Sequence, residues 1–272
     1  MKSKHIRHDV HRSHLSYPIS LPQRLYSIFL GPLVVVFMML IALRFFASTP
    51  RLHEIISLHD LALATALTVG RIGLAYALAV VVAIPLALLA TKNNFTETIF
   101  LPTFDILESI PILAFFPILI LIFIKFNFLN GAAIFILFLS MLWNIVFTLV
   151  GGLKIIPVDI VYAARVFGLK GFAYFDKLIL PAIIPQLVTG SILAVAQGWN
   201  IIIVAEVLHV YIPGGSNADD LFGLGSLLVR ASATGETHLF IVAVTAMVIV
   251  IALVNFFVWQ KLLKYAQRFR FD

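Results

Sequence analysis

A chain of 272 residues, 61% hydrophobic and only 12% charged, with mean hydropathy +1.06, carries more apolar surface than a soluble core can hide; it is a polytopic membrane protein. The formal charge of +6 comes from basic residues spread between apolar runs, not gathered in one patch, which argues for membrane topology and against a nucleic-acid partner. With no cysteine, disulfide staples and thiolate metal sites are excluded.

Residues 1–26 read as a basic cytoplasmic tail in which His5, His8, His11 and His14 recur every third residue. Without an ordered scaffold such spacing is weak evidence for a ligand set, and a tail resting on anionic lipid is the plainer expectation. The tail holds no compact apolar segment, so a cleaved signal peptide is not expected. Six apolar runs follow, each near the roughly 20 residues that cross a bilayer: about 27–47, 65–90, 102–124, 131–150, 182–209 and 239–261. A stretch from His53 to Ala64 reads as an amphipathic external segment before the second. An even number of spans puts both termini on one side. With the tails inside, fourteen of the nineteen lysines and arginines are cytoplasmic, which sets the orientation.

Three membrane segments carry polar groups. Arg71 lies in the outer half of the second span. The third contains ESIPILAFFPILI, where Pro111 and Pro117 each remove a backbone hydrogen bond and open the helix. Asp105 and Glu108 are placed near its cytoplasmic end, either as interfacial carboxylates that snorkel or pair, or as pathway groups. Gln197, Trp199, Asn200 and Glu206 interrupt the fifth span. Glu206 either snorkels outward or lines a vestibule, where Arg71 is its natural counter-ion; charge-swapped variants of the two are then expected to rescue each other. Beyond the fifth span, Gly214–Asn217 is turn chemistry and Leu221–Leu228 reads as a short external or re-entrant helix. Asp219, Asp220, Glu236, His209 and His238 there suit a solvated loop better than a metal site. Trp259 and Tyr265 are expected to anchor the last helix at the cytoplasmic surface.

The longest polar interruption in the second half is PVDIVYAARVFGLKGFAYFDKLILPAIIP, residues 157–185, which the orientation makes cytoplasmic. Pro157 starts a helix and Gly168 ends it. Ala163-Ala164 leaves its centre nearly bare, open to another protein's backbone. Phe172, Phe175 and Ile179 then form an apolar stripe until Pro181 resets the chain. The pattern Ala163-Ala164, Gly168, Phe175, Leu180-Pro181, Pro185 resembles the EAA loop of binding-protein-dependent ABC importer permeases, with Tyr162 standing where that family usually has glutamate. The Ile110-Pro111…Ala114…Pro117 run and the Trp199…Ala205-Glu206 pattern resemble the nitrate/sulfonate/taurine branch, and Gly223-Leu224-Gly225 is similar to a segment seen in the family.

That resemblance implies an all-α membrane domain of the type I importer kind: six transmembrane helices over 27–265, with a coupling-helix loop at 154–181 and a short C-terminal tail at 266–272. It implies an inner-membrane protein with both termini cytoplasmic, working as half of a pair of permease chains, identical or paralogous. ATPase subunits would dock at Tyr162, Ala163, Ala164, Arg165 and Gly168, with Leu180-Pro181 setting the start of span five, and an extracytoplasmic solute-binding protein would deliver a small anion such as nitrate, a sulfonate, taurine or bicarbonate. Arg71, Glu108, Pro111, Pro117, Gln197, Trp199, Asn200 and Glu206 are the candidates for the translocation path. The chain has no G-x-x-x-x-G-K-[S/T] phosphate loop, so no cofactor is expected on it; ATP and Mg belong to the partner ATPase. An ion-coupled carrier or a channel subunit remains the competing expectation, the first needing inverted repeats that are not evident here.

Overall fold

The computed structural model describes residues 56–269 apart from 213, 217 and 218, together with the separate helical positions Phe37, Ile41 and Arg44. The tail and the first expected span lie otherwise outside the described residues. Those that are described hold four helices long and apolar enough to cross a membrane, or five spans when one sharply bent pair is counted as a fifth.

Helix α1 (Leu58–Ala90) begins where the Ser57 hydroxyl accepts the Asp60 N–H at 3.0 Å. Of the expected segment His53–Ala64, residues 53–55 lie outside the described residues. Residues 58–64 are the first two turns of α1, because Ser57 caps the helix there and no breaker follows. Its buried face runs Ala64, Thr68, Arg71, Ala75, Ala79, Ala83, Ala87 and Ala90, small residues mostly one turn apart. That stripe lets α1 lie close against α4 (Leu129–Lys154), whose Gly131, Ala132 and Ala133 are also buried.

The third span is broken. Helix α2 (Asn94–Ser109) starts with a reciprocal cap, Asn93 Oδ1 accepting the Thr96 N–H at 2.8 Å and Thr96 Oγ1 accepting the Asn93 N–H at 3.2 Å. It ends before Pro111, whose ring forces Ile110 into an extended conformation (φ −73°, ψ 127°). A 3₁₀ turn, Ile112–Phe115, leads into α3 (Phe116–Lys125), at 74° to α2. Pro111 makes the break alone: Pro117 sits in the first turn of α3, where its missing N–H goes unused. Because α2 starts at Asn94, Glu108 stands about 21 Å along it at 1.5 Å per residue. It lies in the last turn of α2, against the break.

Helix α4 packs against both α1 and the long α6 (Gly171–Glu206), and these three hold the core, with Ile136, Leu137, Met141, Ile145, Leu149, Ile183 and Ile202 essentially closed to solvent. Glycines allow the α4–α6 contact: a Cβ on Gly190 would collide with Thr148, one on Gly198 with the Met141 methyl, and one on Gly152 would come within 2.8 Å of Gln186. Between α4 and α6 lies α5 (Val158–Val166), begun by Pro157 and ended at Gly168, which takes the left-handed conformation (φ +69°). Pro181 does not reset the chain. A π-turn at Phe175–Ile179 widens the helix just before it and α6 continues through, so the apolar stripe after Gly171 is the first part of a membrane helix.

Helix α7 (Leu224–Thr234) is the short helix expected after the fifth span, begun three residues later than expected and closed by Gly235 at φ +72°. The last span, α8 (Thr237–Phe269), carries a second π-turn at Asn255–Trp259. Trp259 is no interfacial anchor: it is buried and meets the Tyr76 ring edge-on at 6.3 Å. Tyr265 is half exposed and stacks its edge on Phe269.

Candidate translocation cleft and coupling surface

The break at Pro111 opens a cleft of about 490 Å³ between the end of α2, the middle of α4 and α6. Three of the expected path residues meet there, Glu108, Pro111 and Gln197, and they are joined by Ser140, Trp143 and Asn144. Glu108 to Pro111 are exposed, so the cleft is open along that edge. Ser140 and Asn144 were not expected, although two polar residues one turn apart in an otherwise apolar span mark one face of α4. Pro117 and Asn200 do not line this cleft. Trp199 faces a separate apolar groove of about 410 Å³ shared with α8 and lined also by Trp259.

Arg71 and Glu206 form the expected pair, but inside the subunit. The guanidinium donates to Glu206 Oε1 at 2.7 Å, and the two side chains are 7% and 0% exposed. Glu206 therefore neither snorkels nor faces an open vestibule. Its carboxylate also accepts the Thr68 hydroxyl at 2.7 Å and the Gly225 N–H at 2.7 Å, while Arg71 reaches Asn130 Oδ1 at 2.9 Å and the Phe222 carbonyl at 3.1 Å. The Leu224 N–H donates to Thr68 Oγ1 at 2.9 Å. The network thus fastens the first turn of α7 to α1, α4 and α6. Gly223 and Gly225 are small for this reason: a Cβ on the first would strike the Glu206 carboxylate, and one on the second would stand 2.8 Å from Ile203 Cα. Four separate elements supply these partners, so the chain order alone does not reveal them.

The segment after α6 is fastened too, and less solvated than expected. Asp220 accepts the N–H groups of Leu208 and His209 at 2.8 and 3.0 Å and pairs with the His209 ring at 2.9 Å. Tyr211 packs on Phe116 at 4.9 Å, joining this outer turn to α3 just beyond the break.

At the other end of the bundle, the start of α2 and the end of α4 are tied by Lys154 to Glu97 at 2.6 Å. Helix α5 stands beyond them with Tyr162, Val166 and Phe167 at 57%, 86% and 82% exposure, and Phe172 follows at 80%. Arg165 lies 5.9 Å over the Tyr162 ring. Only Ala163 of the alanine pair faces outward, since Ala164 is buried against its own subunit. Space around Gly168 is open; it is the positive φ that selects glycine there. Leu180 and Pro181 are half-buried inside the continuous α6.

Comparison with known proteins adds an independent line. A family model described as binding-protein-dependent transport system inner membrane component matches residues 79–263. Similar proteins include the nitrate import permease protein NrtB of Leptolyngbya laminosa, 31% identical over 161 residues, covering 59% of this chain and 57% of the relative. The bicarbonate transport system permease protein CmpB of Synechocystis sp. is 31% identical over 150 residues, 55% of this chain and 52% of the relative. The putative aliphatic sulfonates transport permease protein SsuC of Escherichia coli is 28% identical over 152 residues, 56% and 53% respectively. The chain thus spans about half the length of the curated relatives it matches. The family match covers α5, the broken span and the cleft together, and this chain belongs to the binding-protein-dependent transport system inner membrane components.

Proposed function

We propose that this chain is the membrane-spanning permease subunit of an ATP-driven importer and forms the solute path by alternating access. One observation carries the reading beyond family membership: α5 presents Tyr162, Val166 and Phe167 to the surroundings from a loop joining two spans. Exposed aromatic and aliphatic side chains on one short helix suit burial in a groove on a partner. An ATPase subunit is that partner, and it holds the ATP and Mg, this chain contributing no nucleotide site. Its closure pushes α5, and the rigid α6 and α4 transmit the motion to the cleft at Pro111. A second permease chain, identical or paralogous, completes the path, and an extracytoplasmic binding protein delivers the solute. The relatives are named for nitrate, bicarbonate and aliphatic sulfonates, which makes a small anionic solute the starting class here. Both termini are cytoplasmic, as the distribution of lysine and arginine requires.

The test is Gly168→Trp in the assembled complex. It keeps the spans intact but forces a bulky residue into a left-handed backbone position, at a cost of about 1–2 kcal/mol, and alters the docked surface. The expected result is normal membrane insertion with ATP hydrolysis no longer linked to uptake. Wild-type uptake by that variant, or uptake by a purified assembly that has no ATPase subunit, overturns the proposal and favours an ion-coupled carrier or a channel.

A further inference from the structure

The cleft at the broken span has a chemical character of its own. Among the described residues that line it there is one charged side chain, Glu108, and no lysine, arginine or histidine. The guanidinium nearest in kind, Arg71, is engaged with Glu206 and Asn130, and Lys154 is engaged with Glu97. Glu108 itself makes no hydrogen bond or ion pair within the described residues; its one recorded neighbour in charge is Asp105, a like charge. A carboxylate within a membrane segment is costly unless it meets water or a counter-charge, and such groups mark solute pathways.

The hydroxyls point the same way. Ser109 Oγ donates to the Asp105 carbonyl and Ser140 Oγ to the Leu137 carbonyl, both at 2.7 Å, so each hydroxyl has spent its hydrogen and has only lone pairs left for a solute. The cleft therefore offers a carboxylate and two hydroxyl acceptors, beside the Trp143 indole, the aromatic surface best suited to a cation. Gln197 adds an amide that turns to present either end. An anion entering alone meets a like charge, although Asn144, Gln197 and the Trp143 N–H can donate; a protonated nitrogen meets a counter-charge, acceptors and the face of an indole.

We propose that Glu108 is a specificity-determining residue that recognises a positively charged nitrogen on the transported solute. The cleft takes a solute bearing an ammonium or amidinium group, and where the solute also carries an anionic group it is taken as a zwitterion with the nitrogen turned to Glu108. This rests on the permease reading above and narrows its solute class, setting bare oxyanions apart from the substrates of this chain.

The test uses the full complex in lipid nanodiscs, with ATP hydrolysis and subunit composition measured on the same preparation. Binding of methylammonium, 2-aminoethanesulfonate and ethanesulfonate is read by isothermal titration for the wild type, Glu108→Gln and Glu108→Arg. The expected result is saturable binding of the two amino-bearing probes, weakened tenfold or more by Glu108→Gln and abolished by Glu108→Arg. Ethanesulfonate is expected to bind at least tenfold more weakly than its amino counterpart, and to gain affinity in Glu108→Arg. Equal binding of 2-aminoethanesulfonate and ethanesulfonate, no saturable binding of any probe, or affinities indifferent to both variants overturns the inference. Those failures are separable from failure of the permease reading, because a preparation that retains its ATPase subunits and hydrolysis has passed that test independently.

Discussion

Arg71 and Glu206 bury opposite charges at the outer end of the bundle, and their worth lies in what surrounds them. A buried pair gains from mutual attraction but loses the hydration of both ions, so its net contribution is small while the loss of one partner is severe, about 3–5 kcal/mol. Arg71→Met or Glu206→Gln alone is therefore expected to lower stability by about that amount, measured by denaturant titration of the purified protein. The double variant Arg71→Met/Glu206→Gln recovers most of the loss, because no charge is stranded and the glutamine oxygen still accepts from one of the two donors, the Gly225 N–H or the Thr68 hydroxyl. The charge swap is not expected to rescue in this geometry. An arginine at position 206 would aim its donors at the Gly225 N–H and the Thr68 hydroxyl, which leaves like against like, and Gly223 leaves it no room. A double variant no more stable than the worse single would show that the network does not act as one unit.

Helix α6 is the element on which the rest depend, since it runs from the coupling surface to Glu206 and packs along α4 through glycines. Lipid gives helices no hydrophobic reason to associate, so close packing of small residues carries the contact. Gly190→Leu is the direct probe of that contact. Its Cβ would already collide with Thr148, with the Asn144 carbonyl at 3.3 Å behind it. Overpacking of this kind costs about 1–3 kcal/mol, and the accompanying shift of α4 moves Ser140 and Asn144 in the cleft. The expected outcome is a lowered thermal midpoint together with reduced uptake. An unchanged midpoint would mean that the two helices part without loss. The π-turn at Phe175–Ile179 works in the other direction: it absorbs Pro181 and keeps α6 unbroken from Gly171 onward, so the only break between α5 and the membrane helix is the short turn at Gly168–Gly171.

At the scale of the whole molecule, the broken span is what turns a bundle into a conduit. Three helices, α1, α4 and α6, form a closed core, and the bent pair α2–α3 leans on it with a cleft beneath the break. Helix α5 joins α4 to α6, and both of these line the cleft, so under the proposed function force applied to α5 alters the cleft. The orientation is testable without structure. The chain has no cysteine, so Ala163→Cys supplies a unique label on an outward-facing position of α5. A membrane-impermeant maleimide is expected to react with it in inside-out vesicles and not in right-side-out ones; the reverse pattern would invert the topology and remove the ATPase from reach.

Much of this was legible in the order of residues. Span-length apolar runs, the distribution of lysine and arginine, and a helix bounded by Pro157 and Gly168 depend on hydropathy, charge and backbone conformation, which each act within a few neighbouring residues. The chain by itself thus determined the membrane class and the existence of α5, and it suggested the partnership of Arg71 with Glu206. Only the tertiary structure decided that this pair is sealed inside the subunit, that Ala164 faces inward and Trp259 is buried, that Pro117 starts a helix while Pro181 interrupts none, and that Glu108 shares a cleft with Ser140, Trp143 and Asn144. Those outcomes depend on which helix lies against which, a property of packing between segments as much as 138 residues apart, as Thr68 and Glu206 are; hydropathy along a chain says that a face is buried, and only its neighbour says against what.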